Sequence, residues 1–170
     1  LRENGTFPVI ILISGVDGSG KGDTINTLYE WMDPRYMSTR TFSAPTQEER
    51  QRPSMWRFWR ALPKKGRIGI AAGSWYSWPV ADRIAGDLSR SDFDQRMDEL
   101  NRFEEMLVNE GALVLKFWIH LSKDGQRERL TSIEANPLTR WRVTKASWDR
   151  LKTYDKMIEV AGHLLRTTST

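Results

Sequence analysis

The chain has 170 residues, enough for one domain with a sizeable core, and carries 26 basic against 22 acidic side chains, a formal charge of +4. It has no cysteine, which excludes a disulfide framework and thiolate metal sites, and the separation of its two histidines, His120 and His163, fits no local metal motif. No apolar run approaches the roughly 20 residues of a membrane span and no signal peptide is visible, so a cytoplasmic location is expected, with a basic excess that suits a polyanionic ligand.

Residues 1–7 are polar and read as a loose leading segment. The apolar run at 9–13 reads as a buried strand. A glycine-rich turn follows at 15–20, then Lys21, then the start of a helix. Gly15-x-x-x-x-Gly20-Lys21 is the spacing of a phosphate loop of the Walker A kind. Glycines admit positive φ and let backbone amides approach an anion. A helix N-terminus adds partial positive charge and Lys21 a full one. The phosphate- and nucleotide-binding candidates are therefore Gly15, Gly18, Ser19, Gly20, Lys21, Gly22, Asp23 and Thr24, with Asp17 and Lys21 as the residues of any residual catalysis. The hydroxyl that ordinarily follows the lysine and holds Mg²⁺ is missing, because Gly22 stands there; Thr24 lies three residues past Lys21. Asp17 would repel bare phosphate and makes more sense beside a metal ion or an incoming nucleotide. A turn or capping role is the plain alternative.

A helix is expected at 24–32, stopped near Asp33-Pro34, and a second strand at 36–42. Thr46 suits an N-cap for Gln47, Glu48 and Glu49, ahead of one helix or two pieces broken at Pro53. Residues 62–66 form a turn and 67–72 a third strand. Pro79 opens a short helix as its first residue. Ser91-Asp92 begins a longer one, whose apolar stripe is Phe93, Met97, Leu100, Phe103 and Leu107, ended by Gly111. A strand at 112–121 and a charged helix at 123–135 follow, the latter ended by Asn136-Pro137. Thr144 caps a final helix over 145–165. Strands alternating with helices predict an α/β fold with a parallel sheet flanked by helices. A phosphate-loop kinase core normally has five strands and four are countable, so an edge strand is expected beyond Thr170. A chain that begins at Leu1 is expected to be a fragment.

Gly15-Val-Asp-Gly-Ser-Gly-Lys-Gly22, Ala44-Pro-Thr-Gln-Glu-Glu-Arg-Gln-Arg-Pro53 and the segment from Trp56 to Ile70 occur in one order along the chain. So do Ser74-Trp-Tyr76, Glu99-Leu-Asn-Arg-Phe-Glu104, the segment from Lys116 to Lys123, and Asn136-Pro-Leu-x-Arg-Trp-Arg142. Together they resemble the polyphosphate kinase 2 family over nearly the whole chain. The resemblance implies a P-loop NTPase-like core, similar to nucleoside monophosphate kinases, in a single domain over 1–170 with a helical lid near 123–145. It also implies Mg²⁺ as cofactor, and polyphosphate and adenine nucleotides as substrates.

The departures from that pattern carry as much information as the matches. Where the family has Asp-Arg-Ser-Trp-Tyr, this chain has Ala72-Gly73-Ser74-Trp75-Tyr76. The family aspartate that helps hold Mg²⁺ thus falls on Ala72 and its neighbouring arginine on Gly73. A later arginine falls on Trp78, and a second lid arginine on Ile133. Arg129 and Arg142 fit the family's lid pattern. Phosphoryl transfer depends almost wholly on positioning and charge stabilisation. Each lost donor costs about 10² to 10³ in rate, so four substitutions together predict very little turnover. Some members fuse two such domains, one of them degenerate, and act as polyphosphate:AMP phosphotransferases. This chain resembles the degenerate half, a structural or regulatory companion of an active twin or of another copy in a homo-oligomer.

The metal ligands are unknown, and Asp17, Asp23 or Asp82 could supply substitutes. An active kinase using them is one alternative. A plain polyanion or nucleic-acid binder is the other, ranked last because no stacking platform is evident. Trp56, Phe58, Trp59, Trp75, Tyr76 and Trp78 are read as core packing or as an association patch, with Trp78 the best candidate for the latter. Arg50, Arg52, Arg57, Arg60, Lys64, Lys65 and Arg67 make a basic segment, either a solvated face or a guide for a polyanion. Arg127, Arg140 and Lys145 add positive charge to the lid. Glu48, Glu99 and Glu104 match family positions, with a helix-surface or capping acid as the plain alternative for each; Glu104 has Val108 rather than a cation four residues on, so no local ion pair explains it. His120 reads as a packed residue rather than a base.

Overall fold

The computed structural model describes residues 5–42 and 44–169, so the first part of the loose segment expected at 1–7 lies outside the described residues. The elements run β1 (Val9–Gly15), α1 (Lys21–Trp31), a 3₁₀ turn (Pro34–Tyr36), β2 (Met37–Thr41), α2 (Gln47–Arg50) and α3 (Trp56–Trp59). They continue with β3 (Ile68–Ala72), α4 (Ser77–Ala85), α5 (Arg90–Asn109), β4 (Leu113–Ile119), α6 (Lys123–Ala135), a second 3₁₀ turn (Arg140–Arg142), α7 (Lys145–Lys152) and α8 (Tyr154–Thr168). The four strands form one parallel sheet in the order β2-β3-β1-β4. This is the expected α/β, P-loop NTPase-like sheet flanked by helices.

β1 is central, and its run of β-branched and leucine side chains is buried on both faces, as a parallel strand requires. Val9, Ile11 and Ile13 join Ile68 and Ile70 beneath Ile25, Leu28 and Tyr29 of α1. Ile10 and Leu12 point the other way, into a larger cluster with Val80 of α4, the α5 stripe and Val160 and Leu164 of α8. All five stripe residues Phe93, Met97, Leu100, Phe103 and Leu107 are buried, at about 1.5–3 kcal/mol for each side chain of this size. Among the described residues β4 lies at the edge of the sheet, and Leu113 and Phe117 on it are half exposed.

Several boundaries differ from the sequence expectation, each for a local reason. Gly20 takes the N-cap position of α1 at φ 93°, so the helix begins at Lys21 rather than 24. α5 begins at Arg90, not Ser91, because the Ser89 hydroxyl accepts from the Asp92 amide at 3.1 Å. α4 begins at Ser77, which puts Pro79 third rather than first. Amides there have no intrahelical acceptor, so proline is tolerated. The single terminal helix expected over 145–165 is two, broken at Thr153. Thr46 forms the expected cap, reciprocated by Glu49, and Pro53 separates α2 from α3. Among the described residues, no helix is long and apolar enough to cross a membrane.

Candidate functional site

The site lies beyond the carboxyl ends of β1, β3 and β4, where open α/β sheets hold ligands. Gly15 closes β1 at φ 140°, and a Cβ there would stand 2.0 Å from the Ile119 carbonyl oxygen of β4. Only glycine lets the two strand ends come this close. The loop then turns through Gly18 and Gly20, both at positive φ. No side chain among the described residues caps α1, which leaves its first amides without an internal acceptor. The Ser19 hydroxyl is buried with no hydrogen-bond partner among the described residues. The Thr24 hydroxyl donates to the Gly20 carbonyl at 3.1 Å, inside its own helix.

Lys21 folds back on the loop, its Nζ donating to the carbonyls of Gly15 (2.8 Å) and Val16 (2.7 Å). Burial pulls its ammonium below the ordinary lysine range, with the charge of Asp17 opposing that shift and Arg150 adding to it. Asp17 of the loop and Asp23 in the first turn of α1 are each held by arginine. Arg129 of α6 donates to Asp23 at 2.8 Å, and Arg142 of the 3₁₀ turn stands 3.5 Å from the same carboxylate. Arg150 of α7 donates through Nε to Asp17 at 2.6 Å. The α6–α7 segment, which contains the stretch expected as a lid, therefore lies over the loop. Gly18 sits under it, close enough that a Cβ would touch the Leu130 and Arg129 side chains. Arg142 lies similarly near Gly22. Between loop, α4 and lid opens a cleft of about 620 Å³ whose lining includes Asp17, Lys21, Tyr76, Trp118, Arg150 and Tyr154.

The structure thus brings Gly15, Asp17, Gly18, Ser19, Gly20, Lys21, Gly22, Asp23 and Thr24 together with Arg129 and Arg142. It does not bring Asp82 to them. Asp82 lines a separate cleft of about 570 Å³ with Arg50, Arg96 and Trp78. Its carboxyl is pushed up by burial first and by Asp87 second. Arg150 was not anticipated, and its partner is 133 residues away, a distance at which local spacing carries no signal.

For Glu104 the structure excludes the plain alternative of a surface or capping acid. It is 5 % exposed and accepts from Trp75 Nε1 (2.9 Å), the Tyr76 hydroxyl (2.5 Å) and Lys116 Nζ (2.8 Å). Burial first, and then the Glu104 charge, drive the Tyr76 phenol far above its ordinary range. Lys116 also donates to the Thr168 carbonyl. Ser74 bonds to Ser14 at the end of β1 at 2.7 Å, so this network pins the β3–α4 turn against the glycine loop. His120 is exposed rather than packed, its Nε2 3.3 Å from the Tyr154 hydroxyl. Of the aromatics, Phe58, Trp75 and Tyr76 are core, while Trp59 and Trp78 are half exposed. The basic segment is largely engaged locally: Arg52 and Arg60 stack on Trp56, and Arg67 on Tyr36.

A divalent cation does not fit the side chains present. β3 ends in Ala72, with Gly73 after it, and the carboxylates of Asp17 and Asp23 are already neutralised by guanidinium groups. No three His, Cys, Asp or Glu side chains converge among the described residues.

Comparison with known proteins agrees with the motifs. The family model described as Polyphosphate kinase 2 matches residues 1–170. A polyphosphate:AMP phosphotransferase of Pseudomonas aeruginosa is 46% identical over 169 residues, covering 99% of this chain and 34% of that protein. An AMP/ADP-polyphosphate phosphotransferase of Meiothermus ruber is 30% identical over 170 residues, covering 100% of this chain and 64% of that protein. A crystal structure of polyphosphate kinase 2 from P. aeruginosa superposes with a TM-score of 0.84 at 44% identity, over 99% of this chain and 33% of that one. One from Arthrobacter aurescens superposes at 0.92 with 25% identity, over 96% and 58%. The chain therefore spans about a third of the length of the Pseudomonas relative.

Proposed function

This chain belongs to the polyphosphate kinase 2 family, and from that premise we propose that it is a domain of a phosphotransferase that moves phosphoryl groups between inorganic polyphosphate and AMP or ADP, itself catalytically impaired and structural or regulatory. The observation that carries this reading is the end of β3. Next to an intact glycine loop and Lys21 stand Ala72 and Gly73, which offer neither a carboxylate nor a guanidinium. The residues proposed to hold phosphate are Lys21, the amides from Gly18 to Gly22, Ser19, Arg129 and Arg142. Asp17, Asp23 and Thr24 shape that cradle from within. The relatives' printed activities, on polyphosphate with AMP or ADP, support the choice of substrates. In this reading the single domain over 1–170 works in the cytoplasm beside a second polyphosphate kinase 2 domain or another copy, and any Mg²⁺ serves that partner.

The chain's own side chains account for binding and orientation but not for turnover. Transfer requires the developing charge to be stabilised by groups already in position. Here the arginines nearest the loop are directed at Asp17 and Asp23. The test is a phosphotransfer assay of the purified chain with polyphosphate, Mg²⁺ and AMP or ADP. The expected rate is at least about 10³-fold below that of the P. aeruginosa polyphosphate:AMP phosphotransferase assayed alongside. Comparable turnover would overturn the proposal.

A further inference from the structure

The arrangement of charge around Asp17 points beyond the proposed function and rests on it. A loop that cradles phosphate gains nothing from a bare carboxylate in its middle, because like charges at a few ångströms repel strongly in a partly buried site. Such an acid is ordinarily compensated by a cation that travels with the ligand. In this chain the compensation is built in. Arg150 Nε sits 2.6 Å from Asp17, on an arginine whose other guanidinium nitrogens take no part in that contact and which lines the same cleft as Lys21. Arg129 and Arg142 cancel Asp23 in the same way. Of the charged side chains that line the cleft, Lys21 and Arg150 oppose Asp17, so it keeps a net positive charge with no added ion.

We infer that this domain binds a phosphate chain without a divalent metal, Arg150 taking the place beside Asp17 that a cation would otherwise fill. Arginine suits the role, since its planar fork can bond a carboxylate on one edge and phosphate oxygens on another. It cannot be removed by a chelator. The pairing also makes Arg150 a phosphate-positioning residue that the family motifs did not single out.

The test is calorimetric titration of the chain with inorganic tripolyphosphate, once in EDTA and once in excess Mg²⁺. The wild type should bind with the same affinity, within about threefold, in both. Arg150→Ala leaves Asp17 facing the ligand and should weaken binding in EDTA by about 10- to 100-fold, the range of a lost charge-assisted contact. Mg²⁺ should restore much of that loss, and so should Asp17→Asn in the Arg150→Ala background. Arg150 is more than half exposed, so its removal leaves the core intact, and circular dichroism of each variant checks this. Wild-type binding that requires Mg²⁺ would overturn the inference and leave the proposed function standing. Arg150→Ala binding like wild type in EDTA would overturn it too. Absence of binding under both conditions would overturn the inference and the proposed polyphosphate binding together.

Discussion

Glu104 ties the β3–α4 turn to α5 and β4. It collects two neutral donors and one ammonium in a place almost closed to water. Taking away one member of a buried charged pair leaves the other uncompensated, at a cost of about 3–5 kcal/mol. Lys116 is partly exposed, which puts Glu104→Ala near the lower end, about 3 kcal/mol. Urea denaturation reads this directly, and a loss below about 1 kcal/mol would mean that water replaces the carboxylate. The same network gives a signed pH dependence. Folding raises the Tyr76 phenol above its ordinary 10.0, so the unfolded chain releases that proton first. The contribution is fully present below about pH 10 and declines as pH rises beyond it. Lys21 is lowered by burial, so its contribution carries the opposite sign. The informative comparison is therefore wild type against Tyr76→Phe, which share the Lys21 contribution. Stability should fall less steeply between pH 10 and 11 in Tyr76→Phe. Equal slopes would show that Tyr76 is not held neutral.

The lid is attached by half-exposed ion pairs. Asp23 is 46 % exposed and Arg129 48 %, and pairs of that kind are worth about 0–1 kcal/mol each. A latch this weak would allow the exchange of carboxylate for phosphate that the proposed function requires. Asp23→Asn should therefore raise amide exchange across α6 and the Arg140–Arg142 turn a few-fold while leaving global stability within about 1 kcal/mol. Uniform protection of α6 in the variant, measured by hydrogen exchange, would assign the lid's hold to Leu130 packing instead. Element by element, the chain announces what is local. The apolar run of β1, the stripe of α5, the Thr46 cap and the glycines before Lys21 are all contiguous signals, and α6 falls where its charge and its Asn136-Pro137 stop put it. The break at Thr153 had no such mark, since neither glycine nor proline stands there. The Arg150–Asp17 and Glu104–Lys116 pairs join separate elements, and no spacing rule reaches across the sheet to find them.

Over the whole molecule, the cleft is made by chain segments that are distant in sequence. The loop comes from the first strand and helix, the lid from α6 to α7, and the floor from the β3–α4 turn. A ligand that touches all three exists as a binding partner only of the folded state. Binding is then linked to global stability by mass action: at a hundredfold excess over Kd the gain is about 2.7 kcal/mol. For a domain of this size each kcal/mol moves the melting temperature by about 2–4 °C, so saturating tripolyphosphate should raise it by about 5–10 °C. The contacts are ionic and partly solvated, and the chain is basic overall with a pI near 9.5. Raising ionic strength from 0.15 to 1 M shortens the Debye length from about 8 to 3 Å, so the shift should shrink markedly at high salt yet persist in EDTA. Scanning calorimetry measures all three conditions on one sample. A shift that vanishes in EDTA would return the cation to the site. No shift at saturation would mean that the ligand does not bind preferentially to the folded chain, and would remove it from the junction of loop and lid.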